Sequence, residues 1–282
     1  MKRVKLIYNP HAGQLKPNLL GVIQALQERF EVSVYITRGA LDATRETRRS
    51  SEKIVIAMGG DGTVNEVING LKKGQTLGIV PVGTSNVLAR EFGISRFAVK
   101  AAKAICKERS LKMDVGYANK KRFFMTLGVG FDASALTKVR SRFKKVFGEG
   151  AYYLAVLETL KAYKPEEMSV CLDHGKSVKG HFVVVGNLPT YGSVLKLTPD
   201  PDYADGKLDV VVVQTDNLIK AFRWLGSAAL RKPQKMEGVF SCKAKHVVIR
   251  SKRKVLYHRD AEISGHTPVV VTVKKQALRV LY

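Results

Sequence analysis

The 282-residue chain carries 48 Lys and Arg against 24 Asp and Glu, a formal net charge of +24, and is 45% hydrophobic. That hydrophobic share excludes a disordered chain, and the length allows two domains of about 100–200 residues each. The charge excess directs the surface toward nucleic acid, an anionic membrane face or nucleotides, and no helix-turn-helix, zinc-ligand or aromatic RNA-binding pattern sharpens the nucleic-acid option.

Met1-Lys2-Arg3 precedes only a strand-length apolar segment, residues 4–8, too short for a signal-peptide core. The loop Asn9-Pro10-His11-Ala12-Gly13 follows, then a predicted helix with Leu19, Leu20, Ile23, Leu26 and Phe30 on one face. Residues 32–36 read as the next strand, ending at Thr37. A polar helix over 41–50 leads into residues 54–58, apolar at every position, which predicts a strand buried on both faces. Gly59-Gly60-Asp61-Gly62-Thr63 stands where that strand stops and an amphipathic segment starts. Thr63-Val64-Asn65-Glu66 has capping-box spacing and predicts a helix start there, with Val64, Val67, Ile68 and Leu71 on its apolar face. Residues 77–80 give another strand, followed by Pro81-Val82-Gly83-Thr84-Ser85-Asn86 and a helix over 87–92. Strands alternating with helices predict a parallel sheet with right-handed crossovers.

The glycine cluster carries the chemistry. Glycines let backbone amides approach an anion, and a helix start adds favourable partial charge. Bare phosphate would repel the Asp61 carboxylate, so the combination suits nucleotide phosphate with Mg²⁺ or water between them, and hence phosphoryl transfer. The competing reading is a tight strand-to-helix turn with no ligand. Loops 9–13, 59–63 and 83–86, with Thr37, all follow the carboxyl ends of their strands, the edge at which open α/β sheets bind ligands. Each alone is composed like an ordinary turn. Their coincidence on one rim is what points to a site.

Beyond residue 115 the pattern changes. Strands are predicted at 122–127, 168–172, 180–185, 207–213, 245–249, 254–257 and 268–273, several joined by short turns such as His174-Gly175-Lys176. They predict a mainly antiparallel domain with helices over 151–163 and 218–230. The expected division is 1–116 and 117–273, with 274–282 returning to the first domain. Cys106, Cys171 and Cys242 show no paired or metal-ligand spacing, which fits free thiols in a reducing compartment. No segment approaches the about 20 apolar residues of a membrane span. Gly175-Lys176-Ser177 lacks the first P-loop glycine, since Val170 stands there, and the histidines lack metal-ligand spacing.

The runs Tyr8-Asn9-Pro10-His11-Ala12-Gly13, Gly59-Gly60-Asp61-Gly62-Thr63 and Pro81-Val82-Gly83-Thr84-Ser85-Asn86-Val87-Leu88-Ala89-Arg90 resemble one family. With Gly128-Val129-Gly130-Phe131-Asp132-Ala133 and Asp260-Ala261-Glu262, the chain resembles the diacylglycerol kinase catalytic-domain family of bacterial lipid kinases. The glycine–Asp run alone is shared with NAD kinases and phosphofructokinases; the ordered set of five spans essentially the whole chain. The resemblance implies an α/β fold, with an N-terminal parallel-sheet, NAD kinase-like nucleotide-binding domain and a larger, mainly antiparallel β domain, the active site lying between them. It implies transfer of the γ-phosphoryl group of ATP to a lipid hydroxyl, with Mg²⁺ neutralising charge and a base receiving the proton.

ATP contacts are implied at Asn9, Pro10, His11, Ala12 and Gly13, at Thr37, at Gly60, Asp61, Gly62, Thr63, Val64, Asn65 and Glu66, and at Thr84. Glu262 takes the general-base position, and Asp61 and Asp114 take those that organise the catalytic Mg²⁺ and its waters. A separate structural Mg²⁺ is implied within residues 199–208, held by the Asp205 carboxylate and the carbonyls of Asp202 and Lys207, oxygen donors that suit a hard ion. Read alone, Asp114 is a turn residue, Asp260-x-Glu262 a surface turn and 199–208 a solvated acidic hairpin. The chain departs from the family pattern at Ala261 and Ser193, where glycines are usual, at Ala204, where a second Asp is usual, and at Gln14, where a Lys is usual.

Two segments suit a membrane surface. Lys138, Arg140, Arg142, Lys144 and Lys145 surround Phe143, Val146 and Phe147, and Leu218, Phe222, Trp224 and Leu225 precede Arg231, Lys232 and Lys235. Each cation near anionic lipid contributes about 1 kcal/mol. The expected protein is a cytoplasmic, ATP- and Mg²⁺-dependent lipid kinase, peripheral on the inner face of the membrane, acting on diacylglycerol or a related lipid. The alternatives are a soluble kinase of the NAD kinase type and a catalytically inactive protein binding anionic lipid or nucleic acid. Nucleic acid is not the expected partner, and a homodimer stays open.

Overall fold

The computed structural model describes residues 1–13, 17–142, 163–188, 190–191, 195–196, 202–217 and 237–282. They form two compact units, one of residues 1–113 with 276–282, the other of residues 114–275.

The first unit is a parallel sheet in the order β2 (Phe30–Ile36), β1 (Lys2–Tyr8), β3 (Ile54–Gly59), β4 (Thr76–Pro81), completed by the end of the C-terminal strand Val269–Leu281. β3 is buried at every position, as its unbroken apolar run requires of a central strand. Tyr8 pairs with Ile36 and Met58, and Gly59 pairs with Pro81, so the strands end level and the loops after them start together. Helices α1 (Leu19–Gln27), α2 (Asp42–Arg49), α3 (Asp61–Gly70), α4 (Val87–Glu91) and α5 (Ala98–Ile105) alternate with the strands. Leu6, Ile56 and Met58 of the sheet pack with Val22 and Leu26 of α1 and Ile105 of α5. Full burial of each such side chain contributes about 1.5–3 kcal/mol.

Three local expectations are corrected here. Leu20, assigned to the apolar face of α1, is 73% exposed, and Phe30 opens β2 instead of closing that face. α3 starts two residues before Thr63, with Gly60 as its N-cap in extended conformation and no side-chain cap. Glu66 does not reach back along its own helix; its carboxylate accepts hydrogen bonds from the amides of Leu41 (2.9 Å) and Ala43 (3.1 Å) at the start of α2. Leu41, in left-handed conformation, offers α2 no side-chain cap of its own, so Glu66 supplies the acceptor from the neighbouring helix.

The second unit pairs two antiparallel sheets. In one, Val239–Ala244, Leu208–Val213, Phe182–Gly186, Thr126–Val129, Leu256–Arg259 and Glu262–His266 lie in that order. In the other, residues 269–272 of the C-terminal strand pair with His246–Ser251, followed by Met168–Cys171 and Ser177–Gly180. Alternate residues face a shared core, Val183, Val185, Val210 and Val212 from one sheet with Val170, Val247, Ile249 and Val271 from the other. The strand expected at 122–127 divides into Lys121–Phe123 and Thr126–Val129, because the amides between them turn toward a buried carboxylate described below. The strand expected at 180–185 likewise divides on either side of His181. Residues 151–162 and 218–230, which carry the predicted helices, lie outside the described residues, as do residues 143–147 of the first membrane-facing segment and all of the second. No helix among the described residues is long and apolar enough to cross a membrane.

Candidate active site

In the first unit the level strand ends bring the polar loops together. Asn9 braces two of them at once: its amide donates to Met58 O (2.9 Å), its side-chain Nδ2 donates to Thr63 Oγ1 (2.9 Å), and its Oδ1 accepts the His11 amide (2.9 Å). Thr37 closes the next loop, its amide donating to Tyr8 O at 2.9 Å. The loop after β4 is a ring: Asn86 Oδ1 accepts the Gly83 amide (3.1 Å) and Asn86 Nδ2 donates to Gly83 O (2.7 Å). Gly60 and Gly83 touch backbone to backbone. A Cβ on Gly83 would fall 2.5 Å from Gly60 Cα, so the approach of the two loops requires glycine at 83.

Above that contact the start of α3 is open. A Cβ placed on Gly62 would meet nothing within 4 Å, and Gly60 caps the helix without a side chain. Gly60 thus offers the first amides of α3 no side-chain cap, and those amides carry the positive end of the helix dipole, the arrangement that receives a phosphate. Asp61 sits beside them. Its Oδ1 accepts the Val87 amide at 2.7 Å, which ties α3 to the first residue of α4. Burial pushes its carboxyl above the ordinary value, and the amides of Val87 and its neighbours Asn86 and Leu88 only partly offset this. A desolvated carboxylate is stabilised by a nearby cation, so Asp61 fits Mg²⁺ delivered with a nucleotide.

The predicted nucleotide contacts divide by exposure. Pro10, His11, Gly13, Gly62 and Thr84 are exposed, and Asn9, Ala12, Gly60, Asp61 and Glu66 are half-buried. Thr37, Thr63, Val64 and Asn65 are buried, so Val64 packs in the core and Asn65 accepts from Asn69 Nδ2 on the next turn.

The second unit holds Glu262 and Asp114. Asp260 and Ala261 form a two-residue turn with φ of 47° and 61°, joining Leu256–Arg259 to Glu262–His266. The buried Asp260 carboxylate accepts three amides, Phe124 (3.1 Å), Met125 (2.8 Å) and Thr126 (3.1 Å), which pins the turn to the neighbouring segment. Burial pushes its carboxyl up to about 6 against the opposing effect of those amides. Glu262, the residue after this turn, opens its strand exposed to solvent. Asp260 therefore positions Glu262, a role that sequence reasoning missed.

Asp114 is fully buried. Its amide donates to Tyr203 O (2.6 Å), its Oδ2 accepts the Gly206 amide (2.6 Å), and its carbonyl accepts Asn187 Nδ2 (2.8 Å). It is bound to the acidic loop through that amide. A second buried pair escaped the sequence reading: Asp132 Oδ2 lies 2.7 Å from His258 Nε2. A Cβ on Gly128 would fall 2.4 Å from that nitrogen, so the glycine of Gly128-Val129-Gly130-Phe131-Asp132 makes room for the pair.

Known proteins share this architecture. Residues 3–118 match the model of the diacylglycerol kinase catalytic domain, and residues 125–282 match that of the YegS C-terminal NAD kinase beta sandwich-like domain. A Bacillus subtilis (strain 168) diacylglycerol kinase is 32% identical over 280 residues, covering 95% of this chain and 92% of its own. A Staphylococcus carnosus diacylglycerol kinase is 31% identical, covering 99% and 94%. A crystal structure of a diacylglycerol kinase from Bacillus anthracis str. Sterne superposes with a TM-score of 0.78 at 26% identity, covering 100% of this chain and 97% of that one. An NAD kinase from Archaeoglobus fulgidus in complex with ATP shares the fold, with a TM-score of 0.55 at 10% identity over 99% and 93% of the two chains.

Proposed function

The chain belongs to the diacylglycerol kinase family and is a lipid kinase; from that premise we propose that it transfers the γ-phosphoryl group of ATP, with Mg²⁺, to a hydroxyl of diacylglycerol or a related lipid. The observation that supports this most is the uncapped start of α3 beside the Gly60–Gly83 contact, with the desolvated Asp61 carboxylate at its edge. The α3 amides hold nucleotide phosphate, and the loops of Asn9 to Gly13, Thr37 and Thr84 line the rim around it. Mg²⁺, when bound, neutralises charge on the transferring group. Asp61 orients that ion, and Asp114, whose Oδ2 accepts the Gly206 amide of the acidic loop, helps to organise it and its waters.

Glu262 accepts the proton of the lipid hydroxyl, and the Asp260 turn fixes where its carboxylate starts. The excess of cationic side chains favours an acceptor presented at an anionic membrane surface, with the enzyme peripheral on the cytoplasmic face. The test is purified protein with labelled ATP, Mg²⁺ and a panel of lipid acceptors together with NAD. Label on diacylglycerol or another hydroxyl lipid supports the proposal. Label on NAD alone overturns it.

A further inference from the structure

The loop at 202–207 is the place where the family resemblance implies a structural Mg²⁺. In this chain the Asp205 carboxylate is taken at both oxygens: Oδ1 accepts the Lys207 amide at 2.8 Å, and Oδ2 accepts from the Lys243 ammonium at 2.8 Å. The Asp202 carboxylate closes its own turn by accepting the Ala204 amide at 2.8 Å. A Mg²⁺ bound to Asp205 Oδ2 at about 2.1 Å would stand beside an ammonium on the same oxygen, cation against cation. Asp205, the one carboxylate in the implied ligand set, is thus occupied at both oxygens and does not fit the ion.

Lys243 is built into this position. It lies on Val239–Ala244 directly across from Asp209 of the adjacent strand, and its ammonium also reaches Asp209 Oδ1 at 3.7 Å. The side chains of Lys243, Asp205 and Asp209 are 31%, 23% and 9% exposed, so the trio is partly withdrawn from solvent and from salt screening.

We propose that the Lys243 ammonium is the resident cation of the acidic loop, standing in for a divalent ion between Asp205 and Asp209. It is a positioning residue. The loop it holds supplies the Tyr203 carbonyl and the Gly206 amide that fix Asp114.

The test uses the full chain without nucleotide or lipid, so its failure is distinct from failure of the kinase reading. Mn²⁺ binding is followed by electron paramagnetic resonance, and melting is measured in excess Mg²⁺ or in EDTA. Wild type is expected to melt alike in both and to bind no Mn²⁺ that Asp205→Asn removes. Lys243→Met is expected to melt about 2–4 °C lower in EDTA, to recover in Mg²⁺, and to gain an Asp205-dependent Mn²⁺ site. Lys243→Arg, which keeps a cation there, should behave as wild type. A wild-type Mn²⁺ site abolished by Asp205→Asn and indifferent to Lys243→Met overturns the proposal. If Lys243→Met does not fold, the wild-type melts decide: a Mg²⁺-dependent shift lost in Asp205→Asn overturns it, and its absence supports it.

Discussion

The Asp61 carboxylate at the first residue of α3 accepts a 2.7 Å hydrogen bond from the amide of Val87, the first residue of α4. One side chain thus caps the helix after β4 while standing at the open start of the helix after β3. The structural and chemical roles are separable by substitution. Asp61→Asn keeps an acceptor for the Val87 amide and loses the charge; Asp61→Ala loses both. Asp61→Ala is expected to lower stability by about 1 kcal/mol, and Asn to leave it nearly unchanged. Both should cut kcat/KM by roughly 10²-fold or more. Denaturation curves and steady-state assays check this, and normal Mg²⁺ dependence in either variant removes Asp61 from its proposed role.

Gly83→Ala forces a Cβ to within 2.5 Å of Gly60 Cα, so one of the two loops must move. The expected loss is about 1–3 kcal/mol of stability, together with weakened ATP binding by calorimetry. An unaltered ATP affinity would separate the Gly60–Gly83 contact from nucleotide recognition.

Ala261 stands at φ 61° in a two-residue turn where glycine is at ease. Ala261→Gly should stabilise the protein by about 1 kcal/mol, seen as a higher melting temperature, with kcat little changed. A lower melting temperature would show that the turn gains nothing from glycine.

Asp260 has its folded-state carboxyl pushed up to about 6 from an ordinary 3.8, so between these values the folded protein binds more protons than the unfolded chain. Its contribution to stability is therefore full at low pH and is lost as pH rises through about 6. Relative to Asp260→Asn, wild-type stability should fall by up to about 1.4 kcal/mol per pH unit across that window. Urea denaturation at a series of pH values measures the difference. Parallel curves for the two proteins would contradict it.

The parallel sheet is legible because residues 54–58 are apolar throughout and glycine-rich loops follow each strand. The start of α3 is not, because local spacing suggests that Thr63 and Glu66 serve each other. Their actual partners are Asn9, 54 positions away, and Leu41, 25 positions away. Strands such as Val239–Ala244 and Glu262–His266 escape notice because their exposed faces and polar residues hide the alternation. The motif residues stand out singly in the sequence. What each one touches does not: the His258–Asp132 pair spans 126 positions, and Asp260 meets its amides across 134 or more. Lys243 carries no motif at all and acquires meaning only from the strand pairing that sets it opposite Asp209.

The most direct measurement is ATP binding and lipid phosphorylation by Glu262→Gln, which keeps the shape of the side chain and removes its basicity. Unchanged ATP affinity with turnover reduced by roughly 10²–10⁴-fold is the predicted result. Turnover equal to that of the wild type on the same lipid would contradict the account.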